Sequence, residues 1–376
     1  MPPSHIINRV LSGNEGSLSF QNVSYAYSGP NTDSFRLNID ISVHTPTKLV
    51  ILGPNGSGKT TLLRLLGGHL QPDSGHITLG TLDLTTLSAR ERPTSTVFQD
   101  YALFPHYTAR KNIEFPLRQR SGLSKQDAKG ITADLIGKLH LENSADVLAS
   151  QLNPGHRQRV AIARSLAMKP KLLLLDEPSG ALDPSMKHDI ISVLNTAYAN
   201  RWVDSLVIVT HDLDFTFSVA DSVVLLDKGR CIASGNLAQL YEHPTTPELA
   251  HYLQWHNILS CTLTSGGTLQ FDGGSVFVPS SWRPDLVRGA TKLTLLLPTS
   301  AVRIVDLPGC GAPTIACTVE SYLYHGPYRE VLTALGPTTS PTIVRSFIEN
   351  GGAIPKIGSR VDLALDLAAS IAIPKL

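Results

Sequence analysis

The chain runs to 376 residues, enough for two domains that each bury a core of their own. Its 32 lysines and arginines balance 31 aspartates and glutamates, which argues against nucleic acid or an anionic membrane surface as an electrostatic partner. No run approaches the roughly 18 apolar residues that span a bilayer, and Met1–Arg9 lacks the apolar core of a signal peptide, so the expectation is a soluble protein with any membrane role supplied by a partner.

From residue 17 to about 45, apolar and polar residues alternate, as in Leu18-Ser-Phe20 and Phe35-Arg-Leu37-Asn-Ile39-Asp-Ile41. Period two predicts half-exposed antiparallel strands. Lys48–Leu52 is a short apolar run that reads as a buried strand, and Thr61–Leu66 reads as the start of a helix. Gln99 follows another short apolar run. The stretch from about 106 to 150 has helical spacing without a strand and predicts a small helical insertion. Leu172–Leu175 and Leu206–Val209 are near-continuous apolar runs, expected as central parallel strands. The first 240 residues or so therefore predict an α/β fold around a mainly parallel sheet. Tyr241–Pro247, with two prolines and little apolar content, is the expected boundary. Past about 258, short alternating runs separated by Gly and Pro predict a small all-β, OB-like domain. The four cysteines, Cys231, Cys261, Cys310 and Cys317, are scattered without a C-x-x-C pair, which suits buried thiols in a reducing compartment.

Between the Lys48–Leu52 strand and its following helix lies Gly53-Pro54-Asn55-Gly56-Ser57-Gly58-Lys59-Thr60. Glycines let the backbone curl until successive N–H groups point inward at a β-phosphate, and the helix N-terminus adds partial positive charge behind them. Lys59 can reach the β- and γ-phosphates, and the Thr60 hydroxyl can ligate Mg²⁺. The octet predicts a nucleoside triphosphate site. Asp176 and Glu177 follow a buried strand, and parallel sheets bind ligands at the C-terminal strand ends. Asp176 is placed to hold Mg²⁺ through its water shell, and Glu177 to orient and deprotonate an attacking water. His211 ends a third such strand and is expected at the γ-phosphate. The Gln99 amide is expected to reach Mg²⁺ or the water.

Together these residues resemble the ATP-binding subunit of ABC transporters, over residues 17 to about 245. The resemblance makes Gly53–Thr60 with Thr61 the Walker A loop, Gln99 the Q-loop, Leu152–Arg159 the signature segment, and Asp176 and Glu177 Walker B. It makes Ser179–Asp183 the D-loop and His211 the switch histidine. It implies a P-loop NTPase fold with an antiparallel β subdomain and a helical subdomain at about 100–165. Tyr27 matches the aromatic that stacks on adenine; Tyr25 is a competitor that spacing alone does not separate from it. Residues 258–376 resemble the TOBE-type regulatory domain of bacterial importers for iron(III), polyamines, sulfate, molybdate or sugars. Tyr101–Thr108 and Asn112–Leu117 are similar to the same subgroup, where this neighbourhood receives a helix of the membrane subunit. The implied cofactors are ATP and Mg²⁺. The implied partners are integral membrane permease subunits, a second ATPase subunit (a second copy of this chain or a different ATPase) and, indirectly, a substrate-binding protein, at the cytoplasmic face of the bacterial inner membrane.

The signature departs from the family's Leu-Ser-Gly-Gly-Gln, reading Leu152-Asn153-Pro154-Gly155-His156. The resemblance places Asn153, Pro154, Gly155, His156 and Asp183 against the ATP held by the opposite subunit. Asn153 is a good N-cap and Pro154 suits the first helical position, so the helix still begins here. Lost are the serine hydroxyl and one glycine N–H. The Asn153 amide is expected to cap the helix or donate to phosphate, with difficulty in doing both. An ATPase with slowed turnover is the leading expectation; a soluble non-transport ABC ATPase and a regulatory ATP-binding module are the rivals.

Overall fold

The computed structural model describes residues 16–27, 35–119, 122–180, 182–264, 266–272, 274–278, 282, 292–305, 314–325, 328–336, 341–349 and 354–374. Met1–Arg9, Ala181 of the D-loop and Cys310 lie outside them. The chain divides into two compact units, 1–237 and 238–376.

The first unit is built on a ten-stranded sheet. Strands β1 (Ser17–Ala26) and β2 (Arg36–His44) pair antiparallel. The register of β1 shifts between Phe20 and Val23, where Asn22 takes a left-handed φ of 49°. That bulge keeps Leu18, Phe20 and Val23 all on the buried side, although two residues separate the last pair. Then come β3 (Lys48–Leu52), helix α1 (Lys59–Leu66), β4 (Ser74–Leu79), β5 (Leu82–Asp83) and β6 (Thr94–Val97). Helices α2 (Ala109–Arg118), α3 (Lys125–Lys138) and α4 (Pro154–Leu166) fill the region expected to be helical. Strand β7 (Leu172–Asp176), helix α5 (Pro184–Ala199), β8 (Ser205–Thr210), α6 (Leu213–Val219), β9 (Ser222–Asp227) and β10 (Arg230–Asn236) complete the unit.

The sheet order is β5-β4-β1-β2-β10-β9-β3-β8-β7-β6, with β9, β3, β8, β7 and β6 parallel to one another. Strands β7 and β8 are buried along their whole length, which their unbroken apolar sequences require. Because these strands run the same way, the turns after β3, β7 and β8 open on one rim of the sheet. That rim carries the octet, Asp176–Glu177 and His211.

The division between units falls after Leu237, ahead of the expected boundary at Tyr241–Pro247. The short helices α7 (Leu237–Glu242) and α8 (Pro247–Tyr252) lie almost wholly in the second unit. There the Trp255 indole donates to the Tyr241 carbonyl at 3.2 Å. The prolines that suggested a linker instead include Pro247, the first residue of α8, capped by Thr246. Two five-stranded sheets follow. One contains β11 (Asn257–Leu263), β12 (Thr268–Phe271), β13 (Gly274–Phe277), β14 (Lys292–Leu297) and β20 (Ile371–Pro374). The other contains β15 (Val302–Val305), β16 (Thr314–Tyr324), β17 (Tyr328–Leu335), β18 (Thr342–Glu349) and β19 (Arg360–Leu365). Leu259, Leu293 and Leu295 from the first pack with Ile315, Val344 and Leu363 from the second in one core.

Cys261 and Cys317 are buried reduced cysteines, and Cys231 is a half-buried one. Burial pushes Cys231 and Cys317 up to about 11, leaving them protonated and unreactive at neutral pH. Among the described residues no helix is long and apolar enough to cross a membrane.

Candidate nucleotide site

The turn from β3 to α1 is held open by its glycines. Gly53 and Gly58 take φ of 156° and 105°. A Cβ on Gly53 would stand 2.2 Å from the Leu226 carbonyl oxygen, and one on Gly58 would stand 2.7 Å from the Phe35 ring. Nothing lies within 4 Å of a Cβ built on Gly56, so the loop's crown faces open space. Inside the loop the Lys59 ammonium donates to the carbonyls of Gly53 at 2.9 Å and Pro54 at 3.1 Å. Burial pulls this ammonium below its usual value, opposed by the charges of Glu177 and Asp176. The Ser57 hydroxyl is buried without a partner. A curled loop with an orphaned hydroxyl, a buried ammonium and a helix N-terminus beneath it fits a polyphosphate.

Beside the loop, the Thr60 hydroxyl donates to Asp176 Oδ1 at 3.1 Å. Burial raises the Asp176 carboxyl above the usual carboxylate range, with the Thr60 hydrogen bond opposing it. The Thr60 hydroxyl and the Asp176 carboxylate beside it, with the Gln99 amide in the same cleft as Thr60, are hard oxygen donors, the set that Mg²⁺ takes.

Glu177 follows Asp176 with a left-handed φ of 47°. Its N–H donates to the Val209 carbonyl at 2.9 Å, so β8 anchors the turn. His211 Nδ1 stands 3.0 Å from Glu177 Oε2 and 3.2 Å from Oε1. The carboxylate only accepts, so Nδ1 donates and Nε2 stays available. Lys59 Nζ lies 3.8 Å from Glu177 Oε1.

Lys59, Thr60, Glu177 and His211 line a single cleft of about 620 Å³, with Tyr27, Phe35, Asn55, Gly56, Gly58, Thr61, Gln99 and Gly180 on its wall. Tyr27 follows directly on β1, is exposed, and its hydroxyl lies 3.2 Å from Thr61 Oγ1. Tyr25 packs on the core instead, its ring edge-on to Tyr27 at 5.0 Å. The structure thus separates two tyrosines that spacing left equivalent. Phe35, tilted against Tyr27 at 6.4 Å, is a cleft residue that sequence reasoning missed. Its place at the head of the alternating run that leads into β2 marked it only as a strand residue.

Asn153, Pro154, Gly155, His156 and Asp183 do not line this cleft. Asn153 caps α4, its Oδ1 accepting from His156 N at 2.8 Å and standing 2.9 Å from His156 Nδ1. Capping therefore uses the amide oxygen and leaves the Nδ2 hydrogens for another acceptor, which corrects the expected conflict between capping and donating. Asp183 caps α5 in the same way, accepting from Met186 N at 2.8 Å. Gly155 sits where a Cβ would be 3.1 Å from Met186 Sδ, so the two capped helix starts adjoin. Inside, the Gln158 amide donates to the Pro178 carbonyl at 2.7 Å, joining α4 to the turn that carries Glu177. Tyr101 and Phe104 are half-buried. Phe104 lies 4.6 Å from Phe115 and 5.3 Å from Tyr107.

A glycine-curled loop over a helix, with a carboxylate pair at the end of a parallel strand of the same sheet, defines a P-loop nucleoside triphosphatase. Residues 37–180 match the family model for ABC transporters. The sulfate/thiosulfate import ATP-binding protein CysA of Synechococcus elongatus is 39% identical over 273 residues, 72% of this chain and 78% of that protein. The Fe(3+) ions import ATP-binding protein FbpC of Brucella abortus is 36% identical, over 66% of this chain and 69% of its own. The putrescine transport ATP-binding protein PotG of Escherichia coli is 35% identical, over 65% of this chain and 64% of its own. The solved dimeric structure of MJ0796, a bacterial ABC transporter cassette, superposes with a TM-score of 0.53 at 28% identity, covering 58% of this chain and 98% of that one. The chain belongs to the ABC transporter family. It is an ABC-type ATPase.

Proposed function

We propose that this chain powers a bacterial importer from the cytoplasmic face of the inner membrane, as the ATP-hydrolysing partner of integral membrane permease subunits. Two ATPase subunits would close head to tail on two ATP molecules, each supplying its Asn153–His156 segment and Asp183 to the other's nucleotide. A substrate-binding protein would deliver cargo on the far side. The relatives support the transport part: their names share import or transport and differ in cargo. Residues 17–245 would form the ATP-binding domain and 258–376 a TOBE-like regulatory domain, supported by the antiparallel sheets of the latter.

Gly53–Thr61 would hold the phosphates, with Lys59 exchanging its carbonyl partners for phosphate oxygens. Tyr27 would stack on the adenine. Thr60, Gln99 and Asp176 would hold Mg²⁺, which when bound neutralises phosphate charge. Glu177 would accept a proton as water attacks the γ-phosphorus and the bond to the bridging oxygen of ADP breaks. His211 would hold Glu177 through Nδ1 and meet the γ-phosphate through Nε2. The observation that carries this reading is the Glu177 carboxylate, 3.0 Å from His211 and 3.8 Å from Lys59 in one cleft. Steady-state ATPase measurement tests it: Glu177→Gln should lower turnover at least about 100-fold while the chain still binds ATP. Equal turnover in the two proteins would refute it.

A further inference from the structure

We propose that Thr210 is a positioning residue for hydrolysis, fixing Glu177 so that Oε1 is the oxygen that takes the proton from water. This rests on the assignment of Glu177 as the base. Thr210 ends β8 and is fully buried. Its hydroxyl oxygen accepts from the Asp212 N–H at 3.1 Å. The remaining hydroxyl proton points to Glu177 Oε2 at 3.2 Å. A carboxylate has no proton to give, so the threonine donates.

The surroundings hold that hydroxyl in place. Asp212 caps α6 through the Phe215 N–H at 3.0 Å and pairs with Lys187 at 2.7 Å, so the N–H behind Thr210 belongs to an anchored turn. The neighbouring Val209 carbonyl takes the Glu177 N–H. One strand end thus grips both the backbone and the carboxylate of a residue whose φ of 47° is uncommon for a side chain of this kind. Oε2 receives Thr210 and the shorter His211 contact. Oε1 is the oxygen on the Lys59 side, facing the phosphate loop.

In the step this arrangement serves, the water oxygen bonds to the γ-phosphorus as the bond to the β–γ bridging oxygen breaks. ADP leaves with that electron pair, and the water proton passes to Oε1. Without the Thr210 hydroxyl the carboxylate keeps one strong donor and gains rotational freedom, so turnover suffers while ATP binding does not.

The test compares Thr210→Val, which keeps the β-branched shape without the hydroxyl, with Thr210→Ser, which keeps the hydroxyl. Steady-state ATPase kinetics are read alongside binding of a fluorescent ATP analogue. Thr210→Val should lower kcat about tenfold with KM and analogue affinity unchanged. Thr210→Ser should restore most of that loss, and adding Thr210→Val to Glu177→Gln should cost nothing more. If the valine protein does not fold, Thr210→Ala is the second hydroxyl-free variant and is held to the same kcat loss. Wild-type kcat in the folded hydroxyl-free variant, a parallel loss of analogue affinity, or a serine variant as slow as it would overturn the proposal. Wild-type turnover in Glu177→Gln would instead overturn the assignment of the base, a separate outcome.

Discussion

The Asn153 side-chain oxygen takes the backbone N–H of His156 at 2.8 Å and lies 2.9 Å from its ring Nδ1. One acceptor thus ties the start of α4 into a closed turn, with Pro154 supplying the preset φ of the first helical position. A signature built this way keeps its helix and the Asn153 Nδ2 hydrogens but lacks a serine hydroxyl and the N–H that proline removes. Replacing Asn153, Pro154 and His156 together by Ser, Gly and Gln adds a hydroxyl and a backbone N–H. Turnover should rise about tenfold or more. Asn153→Ala alone should destabilise by about 1 kcal/mol, seen as a lower denaturation midpoint. An unchanged rate in the triple variant would remove the signature as the limiting wall.

Tyr27 and Tyr25 should part company on substitution. Tyr27→Ala removes the exposed ring at the cleft and should weaken ATP affinity about tenfold, whereas Tyr27→Trp should retain it. Tyr25→Ala takes a ring from the core and should lower thermal stability with ATP affinity nearly unchanged. Titration of a fluorescent nucleotide and a melting curve on each variant separate the two effects.

Asp176→Asn keeps the shape beside Thr60 and removes the charge. Nucleotide affinity of the wild type should strengthen on adding Mg²⁺, and that of the variant should not respond. Binding titrations with and without the ion, read by the same fluorescent nucleotide, would expose any residual dependence.

Asp212 gives a pH signature. Burial pushes its carboxyl up, but the Lys187 ammonium and the Phe215 N–H outweigh it and hold the group below the usual carboxylate value. A depressed folded-state value means the folded chain binds fewer protons than the unfolded one. The stabilisation is therefore complete above the ordinary value of 3.8 for aspartate and is lost as pH falls through the lower folded value. Asp212→Asn retains an α6 cap and removes the ion pair. Its melting temperature should fall by about 2–4 °C at pH 7, and the gap from wild type should close in acid. A gap that persists at the lowest pH would mean packing, rather than charge, carries the contact.

Sequence patterns exposed most of the sheet rim. The octet is a contiguous loop, and Leu172–Leu175 and Leu206–Val209 are uninterrupted apolar runs, so their ends locate Glu177 and His211 without tertiary knowledge. Phe35 and Thr210 escaped because their partners are distant. Thr210 meets Glu177 across 33 positions of sequence, and nothing local distinguishes its hydroxyl from any strand-end threonine. Short strands such as β13 and β15, four residues each, offer too few alternations to stand out from loops. Helices α7 and α8, six residues each, escaped because they are recruited by packing, with the Tyr241–Trp255 contact formed only in the folded chain.

The Gln158–Pro178 hydrogen bond has a mechanical meaning. It fastens the helix that would face one nucleotide to the turn that would act on the other, so neither can shift alone by more than a hydrogen bond tolerates. In a head-to-tail pair, news of one empty seat would reach the opposite seat through a single amide. The two ATP molecules would be spent as correlated events, and an odd, half-spent cycle would be the exception.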